Sequence, residues 1–133
     1  MARVVIAEDE EGLRGFVARA LAIDGHEVTA AADGAEALDL IVRHQGGFDL
    51  LLADVRMPVM DGIALALATA RDYPQITILL MTGYADQRER AHGLDALIHD
   101  VISKPFTLSQ IRAAVNEALR ADDRRRMTDD GRS

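Results

Sequence analysis

The chain contains no cysteine, which removes disulfide frameworks, thiol nucleophiles and thiolate metal sites and is compatible with a reducing cytoplasm. It is also short of positive charge: 15 Lys and Arg stand against 22 Asp and Glu, a formal net charge of −7. That balance argues against a nucleic-acid target, because phosphate backbones require a basic face. Aromatics are scarce, with no tryptophan, two tyrosines and three phenylalanines. These are too few to sandwich a flavin ring, and no phosphate-cradling loop follows the first strand-like run. No apolar stretch approaches the roughly 20 residues that a membrane-spanning helix needs. Met1-Ala2-Arg3 leads directly into a strand-like run instead of the apolar segment of a leader. The expectation is a cytoplasmic protein with no DNA target and no membrane insertion.

What is present is ordinary globular material, 133 residues with 49% hydrophobic and 28% charged, enough for one domain with one core. Val4 to Ala7 reads as a strand, and Leu13, Phe16, Val17, Ala20 and Leu21 recur at helical spacing until Asp24-Gly25. The alternation then repeats. Strands are expected at Glu27 to Ala31, Phe48 to Ala53, Ile76 to Met81 and Val101 to Ser103. The helices between them begin near Ala37, Ile63 and Gln87, the last running to about Ile98 with Gly93 as a weak point. In the final helix Thr107 and Gln110 have capping-box spacing, and Leu108, Ile111, Val115 and Leu119 form the inner stripe. From Asp122 the residues DDRRRMTDDGRS lack an apolar period. The chain therefore divides into a domain over residues 1–121 and a frayed, disordered polar tail over 122–133.

Five strand and helix alternations with continuously apolar strands imply an α/β fold, a parallel sheet with helices on both faces. Right-handed crossovers and the length favour the flavodoxin-like (βα)5 order 2-1-3-4-5. In that order the ends of the first and third strands are neighbours at the switch point, where ligands bind. Glu8 and Asp9 end the first strand and Asp54 the third, so three carboxylates converge on one edge. Like charges this close disfavour ionisation, so the cluster calls for a cation. Oxygen ligands without Cys or His suit Mg²⁺. Thr82 and Lys104 close the fourth and fifth strands on the same rim, adding a hydroxyl and an ammonium. The set makes a site for a phosphoryl group, with Asp54 as the nucleophile that becomes an aspartyl phosphate. Lys104-Pro105 is a candidate cis peptide bond.

Glu8-Asp9, Asp54, Met57-Pro58, Asp61-Gly62, Thr82 and Lys104-Pro105-Phe106, in this order, resemble the receiver domains of two-component response regulators, the CheY-like family. The resemblance runs from about Arg3 to Leu119. It implies that Asp9, Asp54 and the backbone carbonyl of Arg56 hold Mg²⁺, with Glu8 acting through water. It also implies that Thr82 and Lys104 bind phosphoryl oxygens, and that Arg56 and Tyr84 modulate the lifetime of the phosphoryl group. The phosphodonor would be a histidine kinase or histidine phosphotransferase, and the protein would be no enzyme beyond its own phosphorylation and dephosphorylation. The runs DGIALALATARDYP and LLMTGYADQRERAHGLDALIHDVISKPF look like stand-alone receivers of the CpdR type. These prime the ClpXP protease, so the resemblance implies a proteolysis adaptor in a phosphorelay with the ClpX unfoldase as partner.

Singly, each residue has a plainer explanation. Glu8-Asp9-Glu10 could complement a helix dipole, Asp54 could be a turn residue, and Lys104 a solvated lysine. Four strand ends carrying the set together weigh against coincidence. The four histidines lack metal-ligand spacing. Val101 stands where most switchable receivers have an aromatic residue, and the tail ends Gly131-Arg132-Ser133 where CpdR-type proteins often end in small apolar residues. Too little chain follows the last helix for a DNA-binding output domain, so output is expected through a partner. Its surface is expected on the fourth helix, last strand and last helix, with Arg88, Arg90 and Val101 as contacts. Rival readings are a phosphate shuttle or sink, a motor-type receiver, and a haloacid-dehalogenase-like phosphatase. The last requires an acid two positions after the nucleophile, where this chain has Arg56.

Overall fold

The computed structural model describes residues 2–130. Five parallel strands, β1 (Arg3–Ala7), β2 (Glu27–Ala31), β3 (Leu50–Asp54), β4 (Thr77–Thr82) and β5 (Asp100–Ser103), form one sheet in the order β2-β1-β3-β4-β5. They alternate with α1 (Glu11–Ile23), α2 (Gly34–Arg43), α3 (Gly62–Asp72), α4 (Ala85–His92) and α5 (Leu108–Asp130). This is the flavodoxin-like arrangement expected from the alternation.

The apolar strands bury both faces, and strand pleating sorts their residues into two cores. Val4, Ile6, Leu50, Leu52, Leu79 and Met81 pack with Val17, Leu21, Ile111 and Val115 from α1 and α5. Val5, Leu51, Ala53, Ile78 and Leu80 face the other way, against Ile41 of α2, Leu65 and Ala66 of α3, and Ala91 of α4. Parallel register sets the strand ends side by side: Ala7 pairs with Ala53, Asp54 with Met81, and Thr82 with Ser103. The carboxyl ends of β1, β3, β4 and β5 therefore form one rim.

Side-chain caps fix several helix starts. Asp33 accepts from the Glu36 N–H and Asp61 from the Ala64 N–H, each at 2.8 Å. At α5 the capping box is complete, with Thr107 N–H donating to Gln110 Oε1 at 2.8 Å and Gln110 N–H to Thr107 Oγ1 at 3.1 Å. Arg112 grips Asp24 through two hydrogen bonds of 2.6 and 3.1 Å, tying the end of α1 to α5. The Lys104–Pro105 bond is cis.

Two expectations need correction. The fourth helix stops at His92 instead of running to Ile98, with Gly93 as its C-cap and turns beyond. Of its expected inner stripe, Ala91 and Ile98 are buried but Leu97 is 44% exposed, so no continuous apolar seam holds the later turns. The last helix continues through Asp130, past Asp122, where a frayed tail was expected. Neither glycine nor proline occurs between Thr107 and Asp130, so nothing in the backbone breaks the helix when the apolar period ends. Residues 131–133 of that tail lie outside the described residues.

Candidate functional site

The site grows out of the strand ends. The Glu8 N–H donates to Ala31 O at 3.1 Å, extending the β1–β2 ladder by one residue and burying the Glu8 side chain completely. Asp9, next along, is exposed. Asp54 is the last residue of β3 and 6% exposed, and the Val55 N–H beyond it still donates to Met81 O. Thr82 ends β4, also buried. Its carbonyl accepts from the Lys104 N–H at 2.7 Å, which fixes where the lysine leaves the sheet.

Lys104 then reaches back across the rim. Its Nζ donates to Glu8 Oε1 at 2.8 Å and to Asp54 Oδ2 at 2.9 Å. Carboxylate oxygens of Glu8, Asp9 and Asp54 lie within 4.8 Å of one another. The expected convergence of acids and ammonium is thus present, and Lys104 bridges two of the acids. The Arg56 N–H makes a long contact of 3.4 Å to Asp54 Oδ1.

Burial pushes the Glu8 carboxyl up to about 7; the hydrogen bond from Lys104 opposes the shift and the Asp54 charge adds to it. For Lys104 burial disfavours the charge, but hydrogen bonds to Glu8 and Asp54 outweigh it and hold its pKa above the ordinary lysine value. Three clustered carboxylates with no nitrogen or sulfur donor are the ligand set of a hard cation, so the residues present fit Mg²⁺.

Above this floor opens a cavity of about 790 Å³. Asp9, Asp54 and Lys104 line its polar part, and Leu13, Met57 and Phe106 its apolar wall. Arg56 and Tyr84 also line it, and the Tyr84 side chain is largely exposed at 63%. A group bound on Asp54 would therefore face solvent past these two residues.

The expected partner contacts divide. Arg88 of α4 donates to Ser103 Oγ, and Arg90 pairs with Asp61 at 3.3 Å; both arginines are exposed. Val101 is 7% exposed and belongs to the core beside α4. It is not a surface contact, because the β5 pleat turns it inward. Sequence reasoning missed Gln87, which is buried at 6% and lines the cavity from the first turn of α4. No capping-box spacing announced it, because Gln87 Oε1 accepts from the N–H of Gly83, one residue before the Tyr84 N-cap.

Residues 4–116 match the family model described as response regulator receiver domain. The chain belongs to this family. It is 34% identical over 129 residues to Response regulator MprA of Mycolicibacterium vanbaalenii, covering 97% of this chain and 53% of that protein. Over 118 residues it is 34% identical to MprA of Mycobacterium sp. (strain KMS), covering 89% of this chain and 50% of that protein. The chain therefore spans about half the length of the curated relatives it matches. Among solved structures, the REC domain of AraT from Geobacillus stearothermophilus is 30% identical with a TM-score of 0.81, over 94% of this chain and 98% of that one. Chemotaxis protein CheY4 of Vibrio cholerae is 29% identical with a TM-score of 0.78, over 89% and 98%.

As a receiver, the chain is a component of two-component signalling, which implies a phosphodonor kinase. Receiver domains bind Mg²⁺ at an acidic pocket, and Glu8, Asp9 and Asp54 form such a cluster here. The haloacid-dehalogenase reading is not favoured. Among the described residues, no helix is long and apolar enough to cross a membrane.

Proposed function

We propose that this receiver is a phosphorylation-switched binding module with Asp54 as the phosphoacceptor. The observation that carries the reading is the bridge of Lys104 Nζ to both Glu8 and Asp54 on the floor of an open cavity. An Asp54 carboxylate oxygen attacks the phosphorus of a phosphohistidine on a histidine kinase or histidine phosphotransferase. The new P–O bond forms as the P–N bond breaks, and the imidazole leaves with the electron pair. Hydrolysis reverses the modification when water attacks phosphorus and the carboxylate departs.

Glu8, Asp9, Asp54 and the Arg56 backbone carbonyl would hold Mg²⁺, the first three offering carboxylate oxygens within 4.8 Å of one another. When bound, the ion neutralises the acid cluster and the incoming anion. Lys104, 2.9 Å from Asp54 Oδ2, is within reach of a phosphoryl oxygen, and Thr82 supplies a hydroxyl from the neighbouring strand end. Arg56 and Tyr84 at the cavity mouth set how easily water reaches the phosphoryl group. The module acts on no separate substrate and works in the cytoplasm.

For the partner we propose the ClpX unfoldase, on the likeness of residues 61–74 and 79–106 to CpdR-type receivers. The docking face comprises α4, β5 and α5, with the exposed Arg88 and Arg90 as contacts. Acetyl phosphate with Mg²⁺ should add one phosphate to the intact mass. Labelling that persists in Asp54→Asn, or in EDTA, defeats the phosphoacceptor reading. Binding to ClpX should weaken with beryllofluoride; absent or strengthened binding removes that partner and leaves the receiver reading standing.

A further inference from the structure

α4 is attached to the fold in an unusual way. Among its described side chains only Gln87 and Ala91 are buried, so a single methyl group supplies its apolar anchor. Polar links take the place of a stripe. Arg90 reaches Asp61 at the start of α3, Arg88 reaches Ser103 at the end of β5, and Gln87 reaches the end of β4. All three links land on the rim around Asp54.

The Gln87 link differs from the other two because it lies inside. Its Oε1 accepts the Gly83 N–H at 3.1 Å, and both residues line the cavity that contains Asp54 and Lys104. Gln87 also borders an adjoining cavity of about 380 Å³, together with Arg56, Asp61 and Arg90. Its side chain thus has room to move. The space around the Gly83 Cα is open, with no atom within 4 Å of where a Cβ would stand. Gly83 borders the same cavity as Asp54 and Lys104, so an anion entering it comes up against this residue, and a hydrogen bond to an anion is roughly twice as strong as one to a neutral amide oxygen.

We infer that Gln87 is a positioning residue whose carboxamide occupies the Gly83 N–H in the resting receiver, in competition with an anion held over Asp54. The anion displaces the Gln87 carboxamide, and α4 loses this hydrogen bond to the residue that follows β4. Occupancy at Asp54 thereby loosens α4 through an exchange of hydrogen-bond acceptors. The inference rests on Asp54 being the phosphoacceptor.

Gln87→Met keeps the length of the side chain but removes a strong acceptor; Gln87→Glu keeps the acceptor and adds repulsion toward an anion. Beryllofluoride with Mg²⁺ is the probe, with binding followed by amide NMR and hydrogen exchange. With no competitor for the N–H, Gln87→Met should bind beryllofluoride about two- to tenfold more tightly than wild type, the range of one net hydrogen bond. Gln87→Glu should bind it more weakly. In wild type the Gly83 amide and Gln87 side-chain resonances should shift together on binding, and exchange in residues 85–92 should quicken. Unbound Gln87→Met should already show that faster exchange.

Equal or weaker binding by Gln87→Met, with acetyl phosphate labelling of Asp54 intact, overturns the inference and reduces Gln87 to a helix cap. Absent labelling of wild type overturns the phosphoacceptor reading and this inference with it, so the two failures are distinguishable. Should Gln87→Met not fold, Gln87→Glu and the wild-type resonances decide: unchanged affinity, or a Gly83 amide indifferent to the probe, refutes it.

Discussion

Gly62→Ala tests how the strand that ends at Asp54 is held. Gly62 is the first residue of α3, behind the Asp61 cap, and its N–H donates to Val55 O at 2.8 Å. A Cβ there would stand 2.2 Å from Asp54 O, 2.8 Å from Asp54 C and 2.9 Å from Val55 Cα. All three obstacles are backbone, so no side chain can rotate away. Either α3 retreats or the end of β3 shifts. Overpacking of this kind costs about 1–3 kcal/mol, while alanine returns up to about 1 kcal/mol through a less flexible unfolded chain. The net loss is about 1–2 kcal/mol. With a urea slope of about 1–3 kcal/mol/M, the unfolding midpoint should fall by about 1 M. Gly12→Ala is the control, since Gly12 lies in α1 with nothing within 4 Å of its Cβ position. The same chemical change should there raise the midpoint. A Gly62→Ala midpoint at or above wild type would refute the close-approach reasoning. If the β3 end is what moves, acetyl phosphate labelling of Gly62→Ala should also slow by as much as about 100-fold, because displacing a reacting group by about 1 Å can cost that much.

Two further outcomes follow from the site. Tyr84→Ala should change the lifetime of the Asp54 phosphoryl group several-fold with Mg²⁺ affinity nearly unchanged, read from the decay of labelled protein; an unaltered decay removes Tyr84 from the cavity mouth's function. Burial raises Glu8 from 4.5 to about 7 in the fold. Its contribution is therefore full below pH 4.5 and is lost as pH rises through about 7. Glu8→Gln without metal should lack that decline, and equal pH slopes of stability in wild type and variant would refute the burial argument.

Most of the fold was legible because the signals that specify it are local and repeated. Each β-branched or leucine-rich run lies between turn residues, and the Asp33, Asp61 and Thr107 caps sit where their spacing places them. The two misplaced helix ends have a different cause. At α4 the apolar spacing of Ala91, Leu94, Leu97 and Ile98 continues past Gly93, but the chain must turn so that the His99 N–H can join the sheet at Ile78 O, and tertiary pairing overrides periodicity. At α5 the apolar spacing ends before the helix does, because no glycine or proline interrupts propagation from the packed turns that precede it.

The site was legible because its residues are held by strand ends. Once the order 2-1-3-4-5 is fixed, the positions of Glu8, Asp54, Thr82 and Lys104 along their strands determine that they share a rim, whatever the helices do. Gln87 and Val101 escaped that logic. Val101 sits on a strand, but its direction depends on the register of β5 against β4, where Leu80 is its partner. Gln87 sits on a helix whose depth and rotation depend on three polar links that no periodic pattern announces. The physics that hides α4 from the sequence also makes it responsive. Among its described side chains α4 is held by one buried methyl group and a few hydrogen bonds, so under the proposed exchange of acceptors an anion over Asp54 has little apolar packing to overcome.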